Sequence, residues 1–438
     1  MTDLMPQRVP AREVWRLAVP ALGVLAAEPL YVLVDTAVVG HLGALPLAGL
    51  ALGGTLLSLV STQLTFLSYG TTSRTARLHG AGRRADAVGE GVQATWLALA
   101  VGLVVLAVGQ LVAEPVARLM SGDPDVAEQT VSWLRIALCG TPMILVTMAG
   151  NGWMRGVQDA ARPLRYVLAG NALSAVLCPV LVYPVGWGLE GSAVANVVAQ
   201  TVSASLFLRA LVREGVFRRP RPSVMWAQLR LGRDLVLRSL AFQACFLSAT
   251  TVAARTSTEA VGAHQVVWQL WTFLSLVLDS VAIAAQSLIG AALGARDSRR
   301  ARGIASQITS YGLVFGCVLG VVFAAAYPVL PTLFTTDAGV LAAIPHAWWF
   351  FVALQPVAGV VFALDGVLLG AGDARFLRNA TLGSAVLGYL PLTWLSLASG
   401  WGLAGIWTGL SLFMVLRMGF VLARWRSGGW AVMGAVRT

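Results

Sequence analysis

The chain contains no lysine; all 31 of its basic side chains are arginine. Charged residues of both signs make up only 12% of 438 residues, against 57% hydrophobic ones. So little charge, with a mean hydropathy of +0.75, excludes an ordinary soluble domain and points to a membrane protein. Four cysteines, Cys139, Cys178, Cys245 and Cys317, lie singly in different apolar runs and read as small buried hydrophobes. With no CxxC spacing, neither a disulfide framework nor a metal site is supported. The four histidines, His41, His79, His264 and His346, form no HExxH, and no nucleophile motif appears. The expectation is a protein that is not an enzyme and holds no cofactor or metal. Alternating ten-residue strands are also missing, which argues against a β-barrel.

What the sequence has is long apolar runs. Twelve are expected as membrane-spanning helices, at 14–38, 47–73, 88–113, 131–154, 163–186, 190–212, 229–254, 262–290, 304–328, 344–370, 376–399 and 403–424, each near the 20 residues a bilayer core requires. Residues 12–27 imitate a signal peptide, but the apolar run continues past Glu28 to Val39, so cleavage is discounted. The net charge of +11 raises the question of nucleic acid. The arginines, however, collect in alternate loops: around Arg74–Arg84, Arg155–Arg165, Arg209–Arg238, Arg296–Arg302 and Arg375–Arg378. An intervening loop carries Glu114, Asp123, Asp125 and Glu128. Such asymmetry is topological; it sets both termini in the cytoplasm of a cell (plasma) membrane, beside lipid rather than nucleic acid.

The chain repeats itself. "PMILVTMAGNGWMRGVQDA" from Pro142 aligns with "PVAGVVFALDGVLLGAGDA" from Pro356, and the same shift of 214 places Asp159 on Asp373 and Trp187 on Trp401. The fold class expected is therefore an all-α integral membrane protein, with twelve transmembrane helices in two pseudo-twofold-related six-helix lobes. The lobes are taken as 1–213 and 229–438, joined by a cytoplasmic linker at 214–228 with Pro220, Pro222 and dense arginine. Each chain holds both lobes, so it is expected to work as a monomer on a small organic substrate, by alternating access.

Acidic residues in apolar runs are functional candidates because each is costly to insert, about 2.5–3.5 kcal/mol. Glu28 and Asp35 stand seven residues apart in the first span, on one helical face about 10 Å apart along the axis, with Pro29 between them. The competing structural reading pairs Asp35 with an intramembrane arginine such as Arg135 or Arg417. Asp365, Asp279, Tyr31, Asn151, Gln200 and Gln286 are the further candidates for substrate contact or a second protonation; by the repeat, Asn151 corresponds to Asp365. A packing role for Asp365 stands beside the functional one. Asp159 and Asp373 are read as loop salt bridges or caps. Trp268, Trp271 and Phe350 are candidates for stacking on an organic cation, whereas Trp348 and Trp349 read as an interfacial belt.

"VDTAVVGHLG" in the first span, "RGVQDAARP" after the fourth and "FALDGVLLGAGDA" in the tenth resemble the multidrug and toxic compound extrusion (MATE) family, in its DinF-like branch. The resemblance covers essentially the whole chain. It implies a secondary antiporter that exports drugs, metabolites or organic acids against inward protons or sodium. Amphipathic, cationic compounds are the expected cargo. It also implies that Asp35 is the cation-coupling residue, with Glu28 a substitute ligand. Where many members carry an Asn and an Asp in the fifth span, "GNALSAVLCP" has Ser174 and Cys178. That weakens a sodium site and favours H+ over Na+, since a proton needs one acid and a hydrogen-bond partner. Gln243 stands where other branches have glutamate. A flippase for lipid-linked substrates is the alternative reading.

Overall fold

The computed structural model describes residues 9–216 and 218–435, and among these it is helical throughout with no strand. The helices are α1 (Ala11–Gly40), α2 (Ala44–Gln63), α3 (Phe66–Gly80), α4 (Arg84–Ser121), α5 (Pro124–Cys139), α6 (Thr141–Gly156), α7 (Ala161–Val182) and α8 (Gly188–Arg213). They continue as α9 (Pro222–Thr256), α10 (Thr258–Gly294), α11 (Ser298–Ala326), α12 (Ala338–Ala343), α13 (Pro345–Gly370), α14 (Ala374–Ser384), α15 (Leu390–Ser399) and α16 (Gly402–Ser427). Eleven stretches are long and apolar enough to cross a membrane; α5 and α6, bent by 47° at Gly140, make a twelfth. The expected spans fall on these helices. The span expected at 376–399 runs through α14 and α15, joined by one π-helical turn at Ala385–Tyr389. Leu111, Leu119, Val212 and Val321 are 70–85% exposed, an outer surface suited to acyl chains rather than to water.

The chain divides into two compact units, residues 19–232 and residues 1–18 with 233–438, so far as they are described. Two expected boundaries differ. Residues 9–18 belong with the second unit: the backbone of Val9 exchanges hydrogen bonds of 3.0 and 2.8 Å with the side-chain amide of Gln307. The linker expected at 214–228 is helical from Pro222 onward, because proline lacks only a donor that the first helical turn leaves unpaired anyway.

The duplication read from the sequence recurs in the packing. In the first unit a Cβ at Gly152 would strike the Ser68 carbonyl, at Gly156 the Thr72 carbonyl, and at Gly102 the backbone of Pro142. In the second unit Gly366 lies against Ala282, Gly370 against Gln286, and Gly316 against Pro356. Every member of the second set is 214 positions beyond its counterpart. The α3–α6 and α4–α6 crossings are thus repeated as α10–α13 and α11–α13, with backbones touching because glycine leaves no side chain between them.

Candidate coupling site

The second half of α1 turns Ala27, Tyr31, Asp35 and Val39 inward at four-residue spacing, and Asp35 is only 3% exposed. Two neighbouring helices each present a pair of polar side chains one turn apart: Ser174 and Cys178 from α7, Ser192 and Asn196 from α8. Ser192 Oγ donates to Asp35 Oδ1 at 2.7 Å, and Cys178 Sγ donates to the same oxygen at 3.1 Å. The Tyr31 hydroxyl approaches the carboxyl and receives Asn196 Nδ2 at 3.0 Å, with the buried Ser174 hydroxyl beside it. Behind Ser192, Trp133 Nε1 donates to its hydroxyl at 3.2 Å. The helix backbone is held on either side: Asn171 Nδ2 donates to Ala27 O at 2.9 Å, and Tyr183 Oη to Val38 O at 2.6 Å.

Among the described residues every hydrogen-bond partner of Asp35 is a neutral side chain. Arg135 lies against Glu114 at 3.5 Å, and Arg417 pairs with Asp365, so neither neutralises Asp35 as the structural reading of the sequence required. The arrangement is one carboxyl in an apolar setting with hydroxyl and thiol donors: it can take up and release a proton, and it stabilises the anion between those events.

The sequence candidates divide. Asp35, Tyr31, Ser174 and Cys178 come together. Glu28 does not join them: it is exposed and makes no hydrogen bond or ion pair among the described residues. Seven-residue spacing fixes its direction around α1, but it stands about two turns from Asp35, and the α7 side chain at its level, Asn171, is bonded to the Ala27 carbonyl instead. Gln200 is half-buried on α8. Asn151 is buried in α6 with Oδ1 unpartnered among the described residues. Ser192, the shortest contact to Asp35, was missed; the polar pair Ser192 and Asn196, four apart in "GLEGSAVANVVAQ", was its signal.

In the second unit Asp365 is no free acid. Its Oδ2 accepts from both Arg238 of α9 and Arg417 of α16. Arg238, grouped with the loop arginines in the sequence, sits near the middle of α9. Asp279 is half-buried on α10, and Gln286 is buried where α10 crosses Gly370. Asp159 pairs with Arg162 and accepts its backbone N–H at 3.1 Å, while Asp373 pairs with Arg424 at 2.8 Å. Trp348 is not part of an interfacial belt: it is fully buried, with Nε1 donating to Phe323 O at 3.2 Å. Cys139 and Cys317 are exposed rather than buried, and all four cysteines are free. Among the described residues no three His, Cys, Asp or Glu gather as a metal site.

The fold and the buried acid define a polytopic helical membrane protein built as a duplicated transporter. The family model described as MatE matches the chain twice, at residues 20–180 and 235–395. DETOXIFICATION 44, chloroplastic, of Arabidopsis thaliana is 35% identical over 434 residues, covering 95% of this chain and 82% of that protein. The DNA damage-inducible protein F of Escherichia coli (strain K12) is 30% identical over 437 residues, covering 96% and 94%. A crystal structure of MATE in the bent conformation superposes with a TM-score of 0.88 at 20% identity, covering 96% and 94%. The chain belongs to the MatE family, in its DinF-like branch, the multidrug and toxin extrusion transporters.

Proposed function

We propose that this protein is a proton-coupled antiporter of the cell membrane that exports amphipathic organic compounds by alternating access, with Asp35 as its coupling acid. The observation that carries the reading is the burial of Asp35 among neutral donors, Ser192 and Cys178. Protonation there switches a costly intramembrane charge off and on, with no counter-ion beside it among the described residues to blunt it. A proton biases two conformations only through its different affinity for each, and a site closed around one carboxyl in one state and opened in the other supplies that difference.

Sodium is the weaker candidate. Hard cations gather several oxygen ligands, and here the position that would bring a second carboxylate is the Cys178 thiol, a soft donor. Cationic cargo, expected from the sequence, loses one support with the pairing of Asp365 to Arg238 and Arg417. The arginine-rich loops support a cytoplasmic location for both termini, and one chain carries both units of a pathway, which supports a working monomer.

The test is export of a fluorescent organic cation and a fluorescent organic anion from proteoliposomes, under a pH or a sodium gradient imposed separately. Export driven by the pH gradient and lost in Asp35→Asn is the expected result. Normal export by Asp35→Asn would remove the carboxyl from the mechanism, and indifference to both gradients would favour a flippase.

A further inference from the structure

Three charged side chains meet inside the second unit: Arg238, Asp365 and Arg417. Their side chains are 13%, 7% and 3% exposed, and both guanidiniums donate to Oδ2 of the one carboxylate. Two cations against one anion leave a positive charge uncompensated in the interior of a membrane protein, an expensive arrangement unless a further anion shares it.

The donors are unequally used. Arg417 places one nitrogen on Asp365 and turns Nη1 to Met414 Sδ at 4.0 Å. Arg238 bonds through Nη2 alone; its Nε is buried without a partner among the described residues, and Nη1 has none there either. Guanidinium geometry suits a second carboxylate at this edge.

The surroundings specify more than charge. Arg238, Phe242 and Phe246 follow one another at four-residue spacing along α9, all half-buried. The Phe242 ring lies 5.5 Å from the Arg238 guanidinium and 4.9 Å from that of Arg417. Phe246 packs against Trp268 of α10 with centroids 4.4 Å apart. A guanidinium at mid-helix is not left to face acyl chains, and the four-residue spacing puts the partly open rings on the same helical face as Arg238.

We infer that Arg238 and Arg417, held by Asp365, form an anion subsite for the carboxylate of an aromatic organic monoanion, whose ring lies along Phe242, Phe246 and Trp268. Asp365 orients the two guanidiniums and cancels one of their charges, which sets the site for a single negative charge. That the ligand is cargo rests on the exporter reading above; that it binds does not. An anionic lipid headgroup offers the same oxyanion chemistry.

The experiment is calorimetric titration of the full chain in phosphatidylcholine nanodiscs with 2-naphthoate and, as its cationic match, 2-naphthylmethylammonium. Naphthoate binds saturably and at least tenfold more tightly than the cation. Arg238→Gln weakens naphthoate at least tenfold, Arg238→Lys, which keeps the charge but not the planar fork, restores only part of the affinity, and Phe242→Leu, which retains every charge, lowers it severalfold. Equal binding of the two probes, or unchanged naphthoate affinity in Arg238→Gln, overturns the subsite. Should Arg238→Gln not fold, unchanged affinity in Phe242→Leu does so. Replacing half of the lipid by phosphatidylglycerol leaves naphthoate binding unchanged if the occupant is a solute; an Arg238-dependent loss assigns the site to headgroups and overturns the cargo assignment. Asp35→Asn separates the two readings: it keeps naphthoate binding while losing coupled export. Normal export by that variant, with binding still dependent on Arg238, sinks the coupling reading alone.

Discussion

Ser192 Oγ stands 2.7 Å from Asp35 Oδ1, and the same hydroxyl receives Trp133 Nε1 at 3.2 Å. Three helices, α5, α8 and α1, are thereby joined through one serine to one acid. The serine fixes the carboxyl where the Cys178 thiol also reaches it, so its role is that of a positioning residue.

Ser192→Ala deletes a hydrogen bond to a charged group, worth about 1.5–3 kcal/mol, and strands the Trp133 N–H. Proton-driven export should fall about tenfold, with Ser192→Thr retaining most of it. Initial rates in proteoliposomes under a fixed pH gradient decide the matter; a Ser192→Ala variant as fast as the native chain would leave the serine with a packing role only.

Cys178→Asp puts a second carboxylate where the thiol now lies, 3.1 Å from the first. Two acids with the Ser192 hydroxyl form an oxygen-rich set suited to a hard cation. Export should become responsive to a sodium gradient at fixed pH. A variant that folds yet ignores sodium would show that the thiol does not decide ion choice.

Asp365→Asn leaves two buried guanidiniums facing each other without their shared counter-ion, and losing one partner of a buried pair costs about 3–5 kcal/mol. Arg238→Gln leaves the Asp365–Arg417 pair intact and should cost less. Thermal unfolding in detergent orders the variants: native above Arg238→Gln above Asp365→Asn.

At the α11–α13 crossing a Cβ on Gly359 would enter the carbonyl of Gly312. Gly359→Val should separate the helices and destabilise the second unit by about 1–3 kcal/mol or more, seen as loss of the monodisperse peak in size exclusion. Gly54, with nothing within 4 Å of an added Cβ, is the control: Gly54→Ala should leave that peak unchanged.

The number of spans and the duplication were legible in the sequence, since hydropathy fixes length and a constant shift of 214 survives in the glycines that touch backbone. Asp35 was legible for the same reason: an acid in an apolar run is conspicuous. Its partners were only half so. Ser174 and Cys178 were found through a family motif, but Ser192 resembles the small packing residues around it. Glu28 was given the direction of Asp35 around α1, yet it is exposed and unpaired among the described residues, because periodicity describes a helix by itself and not how its neighbours pack. Nothing in the sequence tells which acid meets Arg417, for pairing across 52 positions is settled by how α13 and α16 pack. The start of α9 at Pro222 was hidden by Arg218, Arg219 and Arg221, which run directly into it and resemble a loop.

The neutral company of Asp35 has an electrical consequence. With no cation beside it among the described residues, the site carries a full negative charge when deprotonated and none when it holds a proton. Under the proposed proton antiport the two legs of a cycle then feel the membrane voltage differently: the proton-loaded leg is indifferent to it, whereas the leg that carries cargo moves the carboxylate's charge, together with any charge on the cargo, through the field, at about 2.3 kcal/mol per 100 mV for each charge that crosses completely. Under that reading a resting potential acts on the cargo leg rather than on proton entry, and turnover should track voltage even with the pH gradient clamped at zero.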